Sequence, residues 1–578
     1  MSRSSSKTGL TLMCAALTLC QPVWAADPPP APANAAVDVA KLKAQLDEQQ
    51  KEIEKLRSLL ETQQKMLSQL LSVSASAPAS PAPERRSQSV GQVASAVPMI
   101  VPSSAAPATR APMSLPEPTP ARSASPQAPP PPSSSPLQIR LGDIGITPVG
   151  FMDATAVWRD KDAGSSIGSN FGGVPYNSSI PSSKLSEFRF SPQNSRLGFR
   201  VDGDYKGVHF LGYNEFDFLG TSGSNSIGVT NGAFVPRLRL YWVDVRKDQW
   251  EVLAGQSWSL LTPNRKGLSA LPGDLFYSQA MDVNYLIGLT WTRQPGVRFL
   301  YHANNQVTFG LSLENPNQYM GGSAGGGQIT LPSALSGIAG TQLDNTSSGY
   351  LSTPNLHPDI IAKLAFDPSS HAHVEIAGIE RTFKIYNTTT GTPTSGQYST
   401  KAGVGGSINA NLELFKGFRL ITNNFWSDGG GRYIFGQAPD VIVRADGTLS
   451  PVHSGGFNDG FEWTLGNTIL WGYYGGAYIG RNVALDTTGA GIGYGFGPVG
   501  KAAGAPNSQN KLIQEGTIGF TQTFWKDPKY GALSFIGQYE YLMREPWFIA
   551  PNSPKATHDN TIYIDLRYTL PGAPPPAK

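Results

Sequence analysis

Arginines and carboxylates recur at alternate positions in several short segments of this 578-residue chain. In a β-strand alternate side chains share one face, so each such segment would present its charges on one side. If these faces line a pore, the cations lower the barrier for small anions and the carboxylates shape a transverse field. Alternatively, the arginines pair with carboxylates of neighbouring strands and mainly stabilise the shape of the pore. Both interpretations remain open. The predicted pore-lining set is Arg196, Arg200, Arg237, Arg239, Arg298, Glu215 and Asp217.

Motifs that would indicate an enzyme or a metal site are weak. Residues 321–325 fit G-x-S-x-G, but they lie in a glycine-rich stretch without a strand-to-helix elbow. Residues 495–500 fit G-x-G-x-x-G, but Pro498 and the lack of a following helix argue against a dinucleotide-binding loop. His371, His373 and Glu375 share one strand face at period two, for which a solvated cluster is favoured over a metal site. No enzyme activity, cofactor or metal is therefore predicted.

The composition excludes two broad classes. The chain has 45 Lys+Arg and 42 Asp+Glu, a formal net charge of +3, which argues against nucleic acid as a partner. No stretch of 18 apolar residues occurs, so a helical membrane protein is excluded. Charged residues make up only 15%, against roughly 25% in an ordinary soluble domain. A glycine- and aromatic-rich, all-β chain is the expectation that remains.

From about Ile144 to Leu570 the dominant period is two, in segments of about ten residues separated by loops rich in Gly, Asn, Asp, Ser and Pro. A β-sandwich and a transmembrane barrel both give this pattern, but repetition over this length and the alternation of long loops with short turns favour the barrel. We therefore predict an all-β fold, a transmembrane antiparallel β-barrel of about sixteen strands spanning 137–570. The long loops are predicted at 159–184, 219–234, 315–357, 427–456 and 485–508. The aromatics predicted to form interfacial girdles are Trp158, Trp242, Trp426, Trp471 and Trp525.

The residues in front of the barrel fall into three parts. Residues 1–25 carry an early positive charge, an apolar run and a small residue for cleavage, which predicts a signal peptide. Residues 39–73 repeat apolar positions every seven residues and predict an oligomerising coiled coil, with a single amphipathic helix as the alternative. Residues 74–136 are rich in Pro, Ala and Ser and predict a disordered linker. Residues 571–578 form a short C-terminal tail.

Three sequence blocks carry a resemblance to a known family. Ser195–Phe199 resembles the second strand of general trimeric porins. The pair Leu238–Trp242 and Leu253–Ser259 resembles the fourth and fifth strands of the DcaP-like outer-membrane porins, and Arg293–Phe299 is similar to a further stretch of that family. The resemblance implies a periplasmic coiled coil, a sixteen-stranded trimeric barrel and small dicarboxylic acids as solutes. The chain departs from the pattern at its end, because Pro571 to Lys578 follow the last predicted strand.

The polar segment from Thr262 to Asn284, punctuated by Pro and Gly, cannot continue the sheet. In trimeric porins, the corresponding loop folds into the lumen and forms the constriction. The resemblance therefore places Arg265, Lys266, Asp274 and Asp282 near the narrowest point of the pore. An ordinary surface loop is the alternative.

Together these patterns predict an outer-membrane porin for passive diffusion of small hydrophilic solutes, preferring anions such as small carboxylates and dicarboxylates. The partners expected are two further copies in a homotrimer, outer-membrane lipid, small anionic solutes and peptidoglycan, with the coiled coil in the periplasm. The alternative function is an outer-membrane anchor whose coiled coil and linker tether the membrane to the periplasm or cell wall.

Overall fold

The computed structural model describes part of the chain. The described residues are 54, 135–163, 166–176, 181–220, 234–275, 279–282, 285–318, 355–388, 396–436, 438–443, 448–480, 482–485, 491–494, 510–547 and 554–571. The predicted signal peptide, nearly all of the coiled coil and linker, and the tail after Pro571 lie outside these residues. Glu54, the one described residue of the predicted coiled coil, is helical. In the described part of the chain, no helix is long and apolar enough to cross a membrane.

The described residues form a largely antiparallel wall. Its strands are β1 (Ile139–Leu141), β2 (Ile144–Arg159), β3 (Glu187–Ser191), β4 (Arg196–Tyr205), β5 (Val208–Gly220), β6 (Val235–Lys247), β7 (Trp250–Trp258), β8 (Arg293–His302), β9 (Val307–Glu314), β10 (Asp359–Ser369), β11 (Ala372–Thr388), β12 (Gly396–Phe415), β13 (Phe418–Asp428), β16 (His453–Leu465), β17 (Thr468–Ile479), β20 (Asn510–Asp527), β21 (Gly531–Pro546) and β22 (Thr557–Thr569). Two small separate hairpins are β14 (Val441–Val443) with β15 (Leu449–Pro451), and β18 (Asn482–Leu485) with β19 (Gly491–Tyr494).

The wall closes on itself because β2 pairs with β22, from Phe151 opposite Thr569 to Arg159 opposite Thr561. On its other edge β2 pairs with β4 in its first half and with β3 in its second half, so β3 and β4 act as one bent strand. β1 pairs only with the first residues of β2. The described residues thus form a closed antiparallel barrel of sixteen wall strands, which confirms the predicted all-β barrel and its strand number.

Connections of two lengths alternate around the barrel. At one end, here called the short-turn end, neighbouring strands join through a few residues, as at Lys206 and Gly207, whose positive φ values of 50° and 77° suit a tight hairpin. At the other end, the long-loop end, connections such as 160–186 and 429–452 are much longer. This alternation is typical of outer-membrane barrels.

The outer face is apolar and the inner face is polar. Leu197, Phe309 and Ile564 point outward and are 47%, 48% and 48% exposed, whereas Arg196 and Asp565 point inward and are buried. The pattern matches an apolar surface for lipid around a polar lumen. Trp158, Trp426 and Trp525 are exposed on the outside, but the prediction for Trp242 and Trp471 is wrong, because both are buried among inward-facing residues.

A β-bulge explains the inverted face in β6. Glu215 pairs with Leu240 while Phe216 pairs with Leu238, so Arg239 is an extra residue in the ladder. From this point the alternation inverts: Leu240 and Trp242 are buried and Tyr241 is exposed. The sequence pattern predicted the opposite faces, because an extra residue shifts a period of two by one position.

Candidate pore constriction

The connection between β7 and β8 folds into the barrel. We call its described residues, 259–275, 279–282 and 285–292, the inward segment. Its apolar side chains are buried, among them Leu260, Leu271 and Ile287. Pro263 and Pro272 lack backbone donors, which excludes a regular strand here.

Wall side chains hold the inward segment through its backbone. Seven of its N–H groups donate to side-chain oxygens on seven different strands, which satisfies donors that a ladder would otherwise occupy. The pairs are Leu260 to Glu314, Asn264 to Glu375, Gly267 to Asp367, Gln279 to Tyr473, Met281 to Gln538, Ile287 to Glu515 and Thr290 to Asn423. A segment with partners on so many strands lies across the lumen.

Glycines allow the second half of the inward segment to touch the wall backbone. Gly288 has φ +84°, and a Cβ there would lie 2.2 Å from the Gly476 oxygen. On the wall, a Cβ on Gly475 would lie 2.3 Å from the Ile287 oxygen, and one on Gly456 would lie 2.6 Å from the Gly288 oxygen. Larger residues at these positions would push the segment away from β16 and β17.

The four predicted constriction residues lie at two places. The guanidinium of Arg265 is 2.6 Å from Glu462 on β16, and the Arg265 N–H donates to the Asp274 carbonyl. Lys266 next to them is exposed. Burial raises the pKa of the Asp274 carboxyl against the opposing effect of Arg200 and Lys266. Asp282 lies apart from this group, fully buried, with its carboxylate 3.5 Å from Arg196 on β4.

The predicted pore-lining residues include a buried ion-pair network. Arg239 contacts Glu215 at 2.6 Å and Asp217 at 2.8 Å, and Arg237 contacts Asp217 at 2.6 Å. Arg196 lies 3.7 Å from Glu215. Glu215 and Asp217 on β5 thus face arginines on both neighbouring strands, and much of the arginine charge is compensated within the wall.

The other two predicted arginines have separate partners. Arg200 pairs with Asp202 at 2.6 Å on its own strand. Arg298 donates to the carbonyls of Trp258 and Leu268, at 2.6 and 3.4 Å, and so supports the start of the inward segment.

Sequence reasoning missed Arg293 at the start of β8. Its guanidinium lies 5.6 Å from the centre of the Trp258 ring, and the guanidinium of Arg239 lies at the same distance from that ring. We call Arg237, Arg239 and Arg293 the basic cluster. Its neighbouring carboxylates are Glu215, Asp217 and Asp282. Arg196 pairs with Glu215 and Asp282, so four cations face three anions here. Arg293 is the first residue of β8 and no charged residue follows it at alternate positions. The sequence pattern therefore does not show that it belongs to the inner face.

Two further buried networks were also missed. Arg567 contacts Asp153 at 2.7 Å and donates to the Met281 carbonyl of the inward segment. Arg381 contacts Asp359 at 3.0 Å and Asp440 at 2.9 Å. Asp153, Asp359 and Asp440 lie on other segments than their arginines, so single-strand patterns cannot pair them.

Two other long connections, which the sequence predicted only as long loops, also enter the barrel. Arg544 on β21 donates to the Val174 carbonyl, which fixes 166–176 to the inner wall. Phe171 packs edge-on against Phe435 of 431–443, with ring centres 5.7 Å apart. The Gly288 N–H donates to the Phe435 carbonyl. Three segments therefore meet in an apolar contact inside the barrel.

The predicted solvated histidine cluster is wrong in part. His371 is exposed, but His373 and Glu375 are buried in the wall, at 2% and 1% exposure. Among the residues that the structure describes, no group of three or more His, Cys, Asp and Glu side chains is arranged to bind a metal ion.

Comparisons with known proteins place the fold. No protein-family model matches the chain, and no curated protein does. Among solved structures, the outer-membrane channel DcaP of Acinetobacter baumannii aligns with a TM-score of 0.52 at 15% identity, covering 74% of this chain and 97% of that one. OmpF of Salmonella typhi in complex with daunomycin aligns with a TM-score of 0.41 at 9% identity, covering 75% and 100%. OmpT of Vibrio cholerae in its trimer form gives 0.38 at 11% identity, covering 74% and 99%. The barrel therefore has the fold of the DcaP outer-membrane channel.

Proposed function

We propose that this protein is an outer-membrane porin for passive diffusion of small hydrophilic solutes. The observation that carries the proposal is the inward segment, which crosses a polar lumen under an apolar outer face and is fixed to seven wall strands. A connection used only at the surface would not need wall side chains for its backbone N–H groups. A narrowed, polar passage is what a diffusion channel needs for selectivity.

We further propose that the channel prefers anions, and small carboxylates in particular. The basic cluster supports this, because together with Arg196 its guanidinium groups outnumber the neighbouring carboxylates by four to three. Arg237 keeps 21% of its side chain exposed, so it is accessible from the lumen. Guanidinium groups bind carboxylates through two parallel hydrogen bonds, which suits solutes with one or two carboxylates.

Single-channel recording under a salt gradient tests both proposals. We expect closure in three equal steps, as for a homotrimer, and a reversal potential of the sign for anions. Replacing Arg237 and Arg293 with Gln should shift the reversal potential toward cation preference, because two of the three cations are removed. Lys247→Gln, at an exposed turn of the short-turn end, is the matched control and should leave it unchanged.

Each alternative has its own outcome. A cation-selective channel would contradict the anion preference and keep the porin. The absence of current from folded protein would favour the anchor, in which the coiled coil and linker extend into the periplasm and contact peptidoglycan. We place the barrel in outer-membrane lipid with its short-turn end, and the first and last strands' outer termini, on the periplasmic side, because the short turns of such barrels face the periplasm.

A further inference from the structure

The connection that follows β13 also lies inside the barrel. We call its described residues 431–436 and 438–443 the second segment. Ile434 and Val441 are fully buried and share an apolar cluster with Phe425 of the inner wall. The second segment therefore fills part of the lumen that the wall encloses.

The second segment pairs with the inward segment through backbone hydrogen bonds. The Gly288 N–H donates to the Phe435 carbonyl at 2.9 Å, and the Phe435 N–H donates to the Leu289 carbonyl at 2.8 Å. The Trp291 N–H donates to the Tyr433 carbonyl at 3.0 Å. These bonds form a short antiparallel ladder. More chain therefore lies across the lumen than the inward segment alone provides.

One ion pair of the wall binds this connection at three positions. Arg381 on β11 is 1% exposed, and its guanidinium donates to the carbonyl of Gly429, just before the second segment, at 2.8 Å. The same nitrogen lies 2.9 Å from Asp440 in the segment. Arg381 also donates to Asp359 on β10 at 3.0 Å, and Asp359 accepts the Tyr433 hydroxyl at 2.8 Å. These contacts span most of the second segment and fix it to the inner wall.

We infer that Arg381 is a positioning residue that keeps the second segment inside the barrel, where the segment narrows the passage. The inference deepens the proposed function, and only its effect on current rests on that function. An arginine outside the basic cluster thus controls the width of the pore through a segment of chain.

The guanidinium is needed because it separates two buried carboxylates. Asp359 and Asp440 are both fully buried, and each contacts Arg381 within 3.0 Å. Without the cation, two negative charges would lie close together away from water, which is costly. Asp359 is fixed in a wall strand and Asp440 belongs to the second segment, so their repulsion would move the segment off the wall.

The inward segment does not depend on Arg381 in the same way. Its backbone is bound by side chains of seven strands, and its first half contacts Asp367 and Glu375. When Arg381 is replaced, Ala270 in that half should therefore stay in place, whereas Ala438 in the second segment should not.

Thiol labelling tests the position of the second segment without recording current. The two cysteines, Cys14 and Cys20, lie in the predicted signal peptide, so an introduced Cys is the one thiol of the mature chain. Ala438 and Ala270 are 0% and 5% exposed, so a Cys at either position reacts only when its segment leaves the wall. In Arg381→Met, we expect Ala438→Cys to label at least about tenfold faster than in the parent protein, since charge-assisted hydrogen bonds are lost. Ala270→Cys should keep its parental rate.

Arg567→Met is the matched control for a general loss of stability. The Arg567 guanidinium is also buried and pairs with Asp153 at 2.7 Å, but it binds the inward segment instead of the second one. Its replacement should not speed the labelling of Ala438→Cys above that of Ala270→Cys. Equal acceleration at these two positions in Arg381→Met would overturn the inference.

Asp440→Asn decides the question if Arg381→Met does not fold. It keeps the shape of the side chain and the pair of Arg381 with Asp359, and it removes one charge from the contact with the second segment. Labelling of Ala438→Cys should again accelerate, by a smaller factor, because the amide oxygen still accepts a hydrogen bond. An unchanged rate in this variant would also overturn the inference.

Single-channel conductance tests the narrowing. It should rise above the parental value in Arg381→Met, and by less in Asp440→Asn, because the second segment leaves the passage. Faster labelling with unchanged conductance would overturn the narrowing and leave the porin proposal intact. If the parent protein carried no current, the porin proposal would fail, and the labelling ratio would still decide whether Arg381 positions the segment.

Discussion

Two arcs of the inner wall treat their carboxylates differently. On β4 to β6, Glu215 and Asp217 are bound by arginines of the neighbouring strands. On β20 and β21, Glu515 and Glu540 form no ion pair within the described residues. Glu515 accepts the Ile287 N–H and the Thr517 hydroxyl, and Glu540 accepts from Gln538 and Ser169.

The two arcs differ in what their carboxylates bind: arginines of the wall in one, and groups of the inward-folding segments in the other. The arginine-bound arc fixes charges to the wall and leaves a small cationic excess, which suits a surface that meets solutes. The other arc uses carboxylates as acceptors for segments that enter the barrel, which suits a surface that positions loops. A buried ion pair binds strongly, but losing either partner leaves an uncompensated charge in the wall. A carboxylate that accepts one backbone N–H instead fixes the position of that one peptide group.

The largest effect is expected from breaking the arginine-bound arc. Arg239→Met removes the shared partner of Glu215 and Asp217 and leaves buried charge uncompensated. The free energy of unfolding should fall by about 3–5 kcal/mol, measured by urea titration of the barrel in detergent. Arg419→Gln is the control, because its pair with Glu413 is partly exposed and should contribute under about 1 kcal/mol. Equal losses in the two variants would contradict the comparison.

A smaller and local effect is expected in the other arc. Glu515→Ala leaves the buried Ile287 N–H without its acceptor, at a cost of about 1–3 kcal/mol. That cost falls on the inward segment. Thiol labelling of Ala280→Cys, a fully buried position, should therefore accelerate by a larger factor than the equilibrium constant of global unfolding rises. Gln514→Ala on the outward face of the same strand is the control. If labelling stayed slow, Glu515 would not position the segment.

The sequence predicted the parts of this comparison that depend on local alternation. Period two placed Arg196, Glu215 and Asp217 on inner faces and gave the barrel and its strand number. The bulge at Arg239 and the inward position of Trp471 could not be predicted from alternation within a strand. A bulge depends on the partner strand, and an aromatic residue suits the outer girdle and the lumen equally.

Long-range contacts explain the other differences. The sequence singled out the segment after β7 as unable to form a strand, but the entry of 166–176 and 431–443 into the barrel depends on wall partners such as Arg544 and Asp359. The burial of His373 also depends on a long-range contact. Its strand pattern is that of a solvated cluster, but the inward segment packs over this part of the wall.

Asp274 belongs to neither arc and should give the smallest effect. It is a carboxylate of the inward segment whose pKa is raised by burial, so its charged form is less favourable in the folded protein than in the unfolded chain. Ionised Asp274 therefore lowers the stability of the folded protein at high pH. The loss fades as the pH falls through the raised folded pKa toward the unfolded value of about 3.9. Asp274→Asn should thus slow the thiol labelling of Ala270→Cys, a position that is 5% exposed, at high pH, and the difference from the parent protein should shrink as the pH falls. An Asn variant that labels faster at pH 7 would mean that Arg200 and Lys266 outweigh burial, and that Asp274 behaves like the arginine-bound carboxylates.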